Sequence, residues 1–222
     1  MRNQWRFFIS KIKTFLRHIL ISYVIVIENQ PKKSFLNEKI LIQKCKQNKH
    51  SAQLTVYKMY KNMMFNACLR IVRSKHDAED IVQESFIKGF QKIGQLQEEA
   101  NLGAWLKRIV VNASLDFVRK KKNEYWIEES FIPEEKEEEL SIEEDKGIKV
   151  QLIKDCLEEI KEKYRIILVL YMIEDYNHRE IGEMLNLKES TVRNQYRRGK
   201  KLLIEMIQNR TKDEVKTIHT GT

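Results

Sequence analysis

The chain has 222 residues, 42% of them hydrophobic, enough for one domain or two small ones, and its 7 Gly and 2 Pro are too few for a turn-rich β protein. A formal charge of +9 favours a polyanionic partner. Cys45, Cys68 and Cys156 form no CxxC pair, the histidines are scattered, and no Gly-rich phosphate loop, nucleophile elbow or HExxH occurs, so neither a metal site, a cofactor nor a catalytic residue is expected, and a reducing compartment is the simplest setting.

Residues 1–36 read as an N-terminal extension. Arg2, Arg6, Lys11, Lys13 and Arg17 precede an apolar run from Ile19 to Ile27, similar to the basic and apolar regions of a secretory signal. The run has no small-residue cleavage site and is too short to span a bilayer. A misassigned start, a membrane-surface segment and an export signal all fit it. The first is preferred, because the helical pattern that reads as a domain begins at Asn37.

From Asn37, Ile40, Leu41 and Cys45 mark a short helix, and Ser51 opens a longer one. Its apolar positions are Leu54, Val56, Tyr57, Tyr60, Met63, Met64, Ala67, Cys68, Ile71 and Val72, with the aromatic and methionine residues read as core. Ala78, Ile81, Val82, Phe86, Ile87, Phe90 and Ile93 then follow a 3.6-residue period. Ser74 with Asp77 predicts a capping box and a helix start near Lys75, with Gly94 as its stop.

After a polar loop the period resumes at Leu102, Trp105, Leu106, Ile109, Val110, Ala113, Phe117 and Val118. At about 100° per residue, Trp105, Arg108, Asn112 and Arg119 fall within about 60° at the edge of that apolar face. Four consecutive bases, Arg119 to Lys122, close the helix. Taken alone, the stripe is also what a solvated helix edge with a half-buried tryptophan looks like. Beside a basic run, it suits unpaired bases, with stacking on the ring, hydrogen bonds from the amide and phosphates on the cations. The first domain is therefore set at residues 37–123.

Residues 124–147 are a linker. Glu124, Glu128, Glu129, Glu134, Glu135, Glu137, Glu138, Glu139, Glu143, Glu144 and Asp145 repel one another and favour a flexible, extended segment. A second domain spans 148–208, and 209–222 is a tail. Val150, Leu152, Ile153, Cys156, Leu157 and Ile160 mark one helix; Tyr164, Ile167, Leu168, Leu170 and Tyr171 mark a second. Asn177 with Glu180 caps a short third helix through Ile181, Met184 and Leu185, and Asn186-Leu187-Lys188 is a tight turn. Glu189 to Ile207 is a last helix with Val192, Tyr196, Leu203 and Met206 inward. Two helices joined by so short a turn, the second carrying Arg193, Asn194, Gln195, Arg197, Arg198, Lys200 and Lys201, have the form of a helix-turn-helix.

Two stretches resemble one family. Asp77-Ala78-Glu79-Asp80-Ile81-Val82-Gln83-Glu84, Trp105-Leu106, Asn112 and Asp116-Phe117-Val118-Arg119-Lys120 look like region 2 of the extracytoplasmic-function branch of sigma-70-type sigma factors. Leu157 to Arg165, Glu180-Ile181-Gly182-Glu183 and Thr191 to Gly199 resemble region 4 of the same branch. The resemblance implies an all-α chain of two small helical domains, a region 2 bundle and a region 4 helix-turn-helix, joined by the acidic linker. It implies a cytoplasmic initiation factor, not an enzyme, that binds core RNA polymerase and promoter DNA and leaves room for an anti-sigma factor.

By the same resemblance, Asp80, Gln83 and Glu84 would dock on the polymerase. Leu96, Gln97, Asn101, Trp105, Arg108, Asn112, Arg119 and Lys120 would engage the minus 10 element. Thr191, Arg193, Asn194, Gln195, Arg197, Arg198 and Lys200 would engage the minus 35 element. Lys188 and Gln195 stand where many members carry a capping Ser and an Arg, and Gln97-Glu98 replaces an Arg-Gly or Lys-Gly. The alternative is a free-standing helix-turn-helix regulator with an N-terminal sensor or dimerisation domain.

Overall fold

A computed structural model describes residues 35–97, 101–122 and 150–219, which fall into two units treated separately below. The N-terminal extension up to residue 34 and the acidic linker from 123 to 149 lie outside the described residues. Among the described residues the secondary structure is helical throughout, as the periodicity predicts.

The first unit contains α1 (Phe35–Lys46), α2 (His50–Val72), α3 (Lys75–Lys92) and α4 (Leu102–Lys122). The last three pack on one another, burying Met64, Ile71, Ala78, Val82, Phe86, Leu102, Leu106, Val110 and Leu115 in a shared core. Gly89 lets α3 and α4 approach: a Cβ there would stand 3.1 Å from Leu106 Cδ2 and 3.8 Å from a ring carbon of Trp105. Ser114 is also buried, its hydroxyl 2.7 Å from the Val110 carbonyl and 3.1 Å from Cys68 Sγ. Burial pushes the Cys68 thiol up to about 11, against the lowering effect of the Ser114 contact.

Helix limits follow local chemistry. Ser74 Oγ accepts from the Asp77 amide at 3.3 Å and starts α3 at Lys75; the start is as expected from sequence, while only this half of the expected capping box is seen. Its other end departs from expectation: α3 stops at Lys92, before Gly94, and tightens into a 3₁₀ turn over Ile93–Gln95. Four apolar positions expected inside are exposed: Ile40, Leu54, Tyr57 and Ile87. Near them the buried positions are Ile42 and Cys45 in α1, and Ala52 and Val56 in the first turns of α2.

The second unit contains α5 (Val150–Glu159), α6 (Glu162–Leu168), α7 (His178–Leu185) and α8 (Glu189–His219). Ile153, Cys156, Ile160, Tyr164, Leu168, Met172, Leu203 and Ile207 form its core. Between α6 and α7 the backbone widens into a π-helical turn over Val169–Ile173. The last helix passes the expected end at Ile207 and continues to His219, because no glycine or proline interrupts it there.

Candidate nucleic-acid interfaces

In the first unit, α3 and α4 present two different surfaces. The carboxylates of Asp80 and Glu84 and the amide of Gln83 lie on the exposed side of α3. Asp80 pairs with His76 at 3.2 Å and Glu84 with Lys88 at 3.7 Å, both one turn apart along the helix. Exposed Ile87 lies on the same side, three residues after Glu84 and four after Gln83.

At the start of α4, Asn101 has a structural duty: its Oδ1 accepts from the Ala104 amide at 2.8 Å and caps the helix. Gly103 fits beneath the ring of Tyr60, where a Cβ would come within 2.8 Å of Cε1, and the Tyr60 hydroxyl donates to Glu38 at 2.5 Å. The start of α4 is thus held from α1 and α2 together. Leu96 differs from its expected role. It is only 6% exposed and anchors the turn after α3 in the core, so its side chain is not available as a contact in this position. Gln97 is exposed.

Along α4, Trp105 is half-buried against Gly89, while Arg108 and Asn112 are exposed one and two turns further on. Arg119 pairs with Asp116 at 2.8 Å, and Lys120 is exposed. One helix therefore carries a ring, a cation and an amide in sequence along its length. Lys121 reaches Asp77 at 3.3 Å, joining the basic end of α4 to the first turn of α3. The Ser74 contact, foremost, and Lys121 hold the Asp77 carboxyl below its usual range, against a smaller opposing effect of burial.

The second unit orders a helix-turn-helix. Asn177 and Glu180 form a reciprocal capping box at 2.9 and 2.8 Å, as expected from their spacing. Asn186 ends α7 in the left-handed region at φ 56°, and the Leu187 amide donates to the Gly182 carbonyl at 2.9 Å. A Cβ on Gly182 would stand 2.7 Å from the Leu187 carbonyl oxygen, so this sharp turn needs glycine. Three rings then set α8 against the preceding elements: Tyr171 stacks on His178 at 4.4 Å with 7° between planes, and Tyr196 meets Tyr171 at 4.5 Å. Gly199 brings α8 against α6, since its Cβ would lie 3.0 Å from that of Tyr164.

This packing decides which side chains of α8 face out. Arg193 is exposed, and Thr191, Asn194, Arg197, Arg198 and Lys200 are half-buried. Gln195 is a correction. It is 3% exposed, on the same side as Val192 and Gly199, and cannot offer its amide to a base edge from there. Ser190, which sequence reasoning missed, is exposed, and the helical period places it in line with Asn194 and Arg197. The signal was available: a register with Val192 and Leu203 inward turns Ser190 outward.

Comparison with known proteins decides the family. Residues 56–124 match the family described as "Sigma-70 region 2", and residues 151–203 match "Sigma-70, region 4". The chain belongs to the sigma-70 family. Its relatives place it in the extracytoplasmic-function branch. It is 29% identical over 178 residues to the ECF RNA polymerase sigma factor SigW of Bacillus subtilis (strain 168), covering 76% of this chain and 95% of that one. It is 25% identical over 159 residues to the ECF RNA polymerase sigma factor SigM of the same organism, covering 72% and 97%. Among solved structures, the sigma factor RpoE of Bartonella quintana, crystallised with the anti-sigma factor NepR, aligns with a TM-score of 0.47 and 17% identity over 69% of this chain and 95% of that one. The protein is thus an RNA polymerase sigma factor, a transcription initiation factor that works with core RNA polymerase on promoter DNA. Among the described residues, no helix is long and apolar enough to cross a membrane.

Proposed function

We propose that this sigma factor divides initiation among three surfaces on two domains, residues 37–123 and 148–208, joined by the acidic linker 124–147. Asp80, Gln83 and Glu84 on α3 dock on core polymerase. Gln97, Trp105, Arg108, Asn112, Arg119 and Lys120 engage the minus 10 element, with Leu96 and Asn101 holding the ends of the loop in place. Thr191, Arg193, Asn194, Arg197, Arg198 and Lys200 engage the minus 35 element. The work is done in the cytoplasm and involves no covalent step.

The observation that carries this reading is the stripe of Trp105, Arg108 and Asn112 along α4, with Trp105 braced against Gly89. Extruding a base from a duplex costs a few kcal/mol. A protein that binds the unpaired base better than the paired one shifts that equilibrium by the difference in affinity. A braced ring, an exposed amide and cations along one helix are the groups such differential binding uses. The linker and the polymerase make the second DNA contact intramolecular, so neither domain must bind tightly alone.

The test is transcription by core polymerase with and without this protein on a library of genomic fragments. Promoter-specific transcripts that depend on it are expected, together with permanganate-reactive thymines at the minus 10 position. Transcription indifferent to its presence would refute the reading.

A further inference from the structure

On α8 the guanidinium of Arg193 does not extend into solvent alone. Its Nη2 donates to Glu189 Oε1 at 2.6 Å, with both side chains about half exposed. Glu189 is the first residue of α8, and exposed Ser190 follows it. The neighbouring cation on α7, Arg179, is held by Glu183 at 3.2 Å, and this pair borders one surface hollow at the turn together with Lys188 and Glu189.

We propose that Glu189 is a positioning residue for promoter specificity, holding Arg193 in place to recognise a guanine base edge instead of a phosphate. This rests on the reading of α8 as the minus 35 element reader. An arginine on a basic helix is drawn to the nearest phosphate, a contact that carries no sequence information. Arg197, Arg198, Lys200 and Lys201 already supply such cations further along α8. A carboxylate against Arg193 neutralises most of that pull and repels phosphate oxygens. It leaves the guanidinium with further N–H donors, since an arginine has five. Guanine offers two uncharged acceptors, N7 and O6, in the major groove, and its cytosine partner offers an N4 donor that a carboxylate accepts. A Glu–Arg pair one turn apart therefore matches a G·C pair better than a phosphate.

An acid in the first turn also favours the helix itself, so stability alone does not separate the two roles. The decisive readout is specificity and salt dependence. Holoenzyme made from core polymerase and the full chain is assayed on promoters randomised across the upstream element, at several salt concentrations, with Glu189→Ala and Arg193→Ala compared. Arg193→Ala should lower preference for one G·C pair by roughly 5- to 150-fold, the range of a bidentate base contact. Glu189→Ala should weaken preference at that same pair while steepening the salt dependence by about 0.9 in log–log slope, as Arg193 moves to a phosphate. If Glu189→Ala only lowers the melting temperature and leaves base preference and slope as they were, the inference is overturned and the reading of α8 stands. If Arg193→Ala changes no upstream preference, the reading of α8 fails and the inference falls with it.

Discussion

Lys121, near the end of α4, donates to the carboxylate of Asp77 in the first turn of α3 across 3.3 Å, tying the basic end of the helix proposed to engage DNA to the start of the helix proposed to dock on polymerase. The two residues are 44 apart in sequence, and their union depends on the antiparallel packing of α3 and α4. Asp77, held by Ser74 foremost and by Lys121, also has a pH signature. Asp77 is held below its ordinary value of 3.8, so the folded state favours its charged form. The resulting stabilisation is present above that value and is lost as the pH falls through the lower, folded-state value. Melting curves of the wild type and Asp77→Asn should differ at neutral pH and converge as the pH drops below 3.8. A gap that stays constant down to the acid limit would contradict this.

Asn101→Ala removes a cap and should cost about 0.5–2 kcal/mol of stability in chemical denaturation. Asn101→Ser keeps a capping oxygen and should recover most of it. If promoter opening follows stability across the two variants, the side chain holds α4 and does not touch DNA. If Asn101→Ser restores stability but not opening, Asn101 contacts the strand as well.

Gly182→Ala places a methyl group 2.7 Å from the Leu187 carbonyl oxygen, and the neighbour is backbone that cannot swing aside. The expected cost is about 1–3 kcal/mol, typical of an overpacked site. Activity on promoters with a strong minus 35 element should fall, while binding to core polymerase persists. An unchanged melting temperature would show that the turn relaxes without loss.

Gln195→Met tests the corrected place of that residue. Among the described residues the buried Oε1 has no hydrogen-bond partner, an arrangement that costs about 1–3 kcal/mol relative to a satisfied one. The apolar variant should be as stable as the wild type or more so, with the same preferred bases at the minus 35 element. A shift in base preference would return Gln195 to the reading face.

These cases mark what sequence could reveal. Ser74 with Asp77 and Asn177 with Glu180 were legible because a cap is made within one turn, and residue type and spacing specify it. The helical period located α2, α3 and α4, but Leu54 and Ile87 show its limit: exposed apolar residues look identical to buried ones until the helices are packed. The rotation of α8 was less legible. It depends on Tyr171, His178 and Tyr196 meeting across three elements, one of them a π-helical turn without a sequence signature. That rotation, not the residue type, takes Gln195 inside, whereas the outward place of Ser190 already follows from Val192 and Leu203 lying inward.

In the mechanism proposed above, α4 promotes melting by binding a base once it has left the stack. Open-complex formation by Asn112→Ala holoenzyme, followed by permanganate footprinting on duplex and on pre-melted templates, tests it most directly. Asn112 is exposed, so the variant should keep its melting temperature and its binding to core polymerase. A lost contact of about 1–3 kcal/mol predicts a roughly 5- to 150-fold fall in the open-complex equilibrium on duplex DNA, largely recovered when the minus 10 region is already unpaired. Normal opening of duplex promoters by stably folded Asn112→Ala would contradict the account.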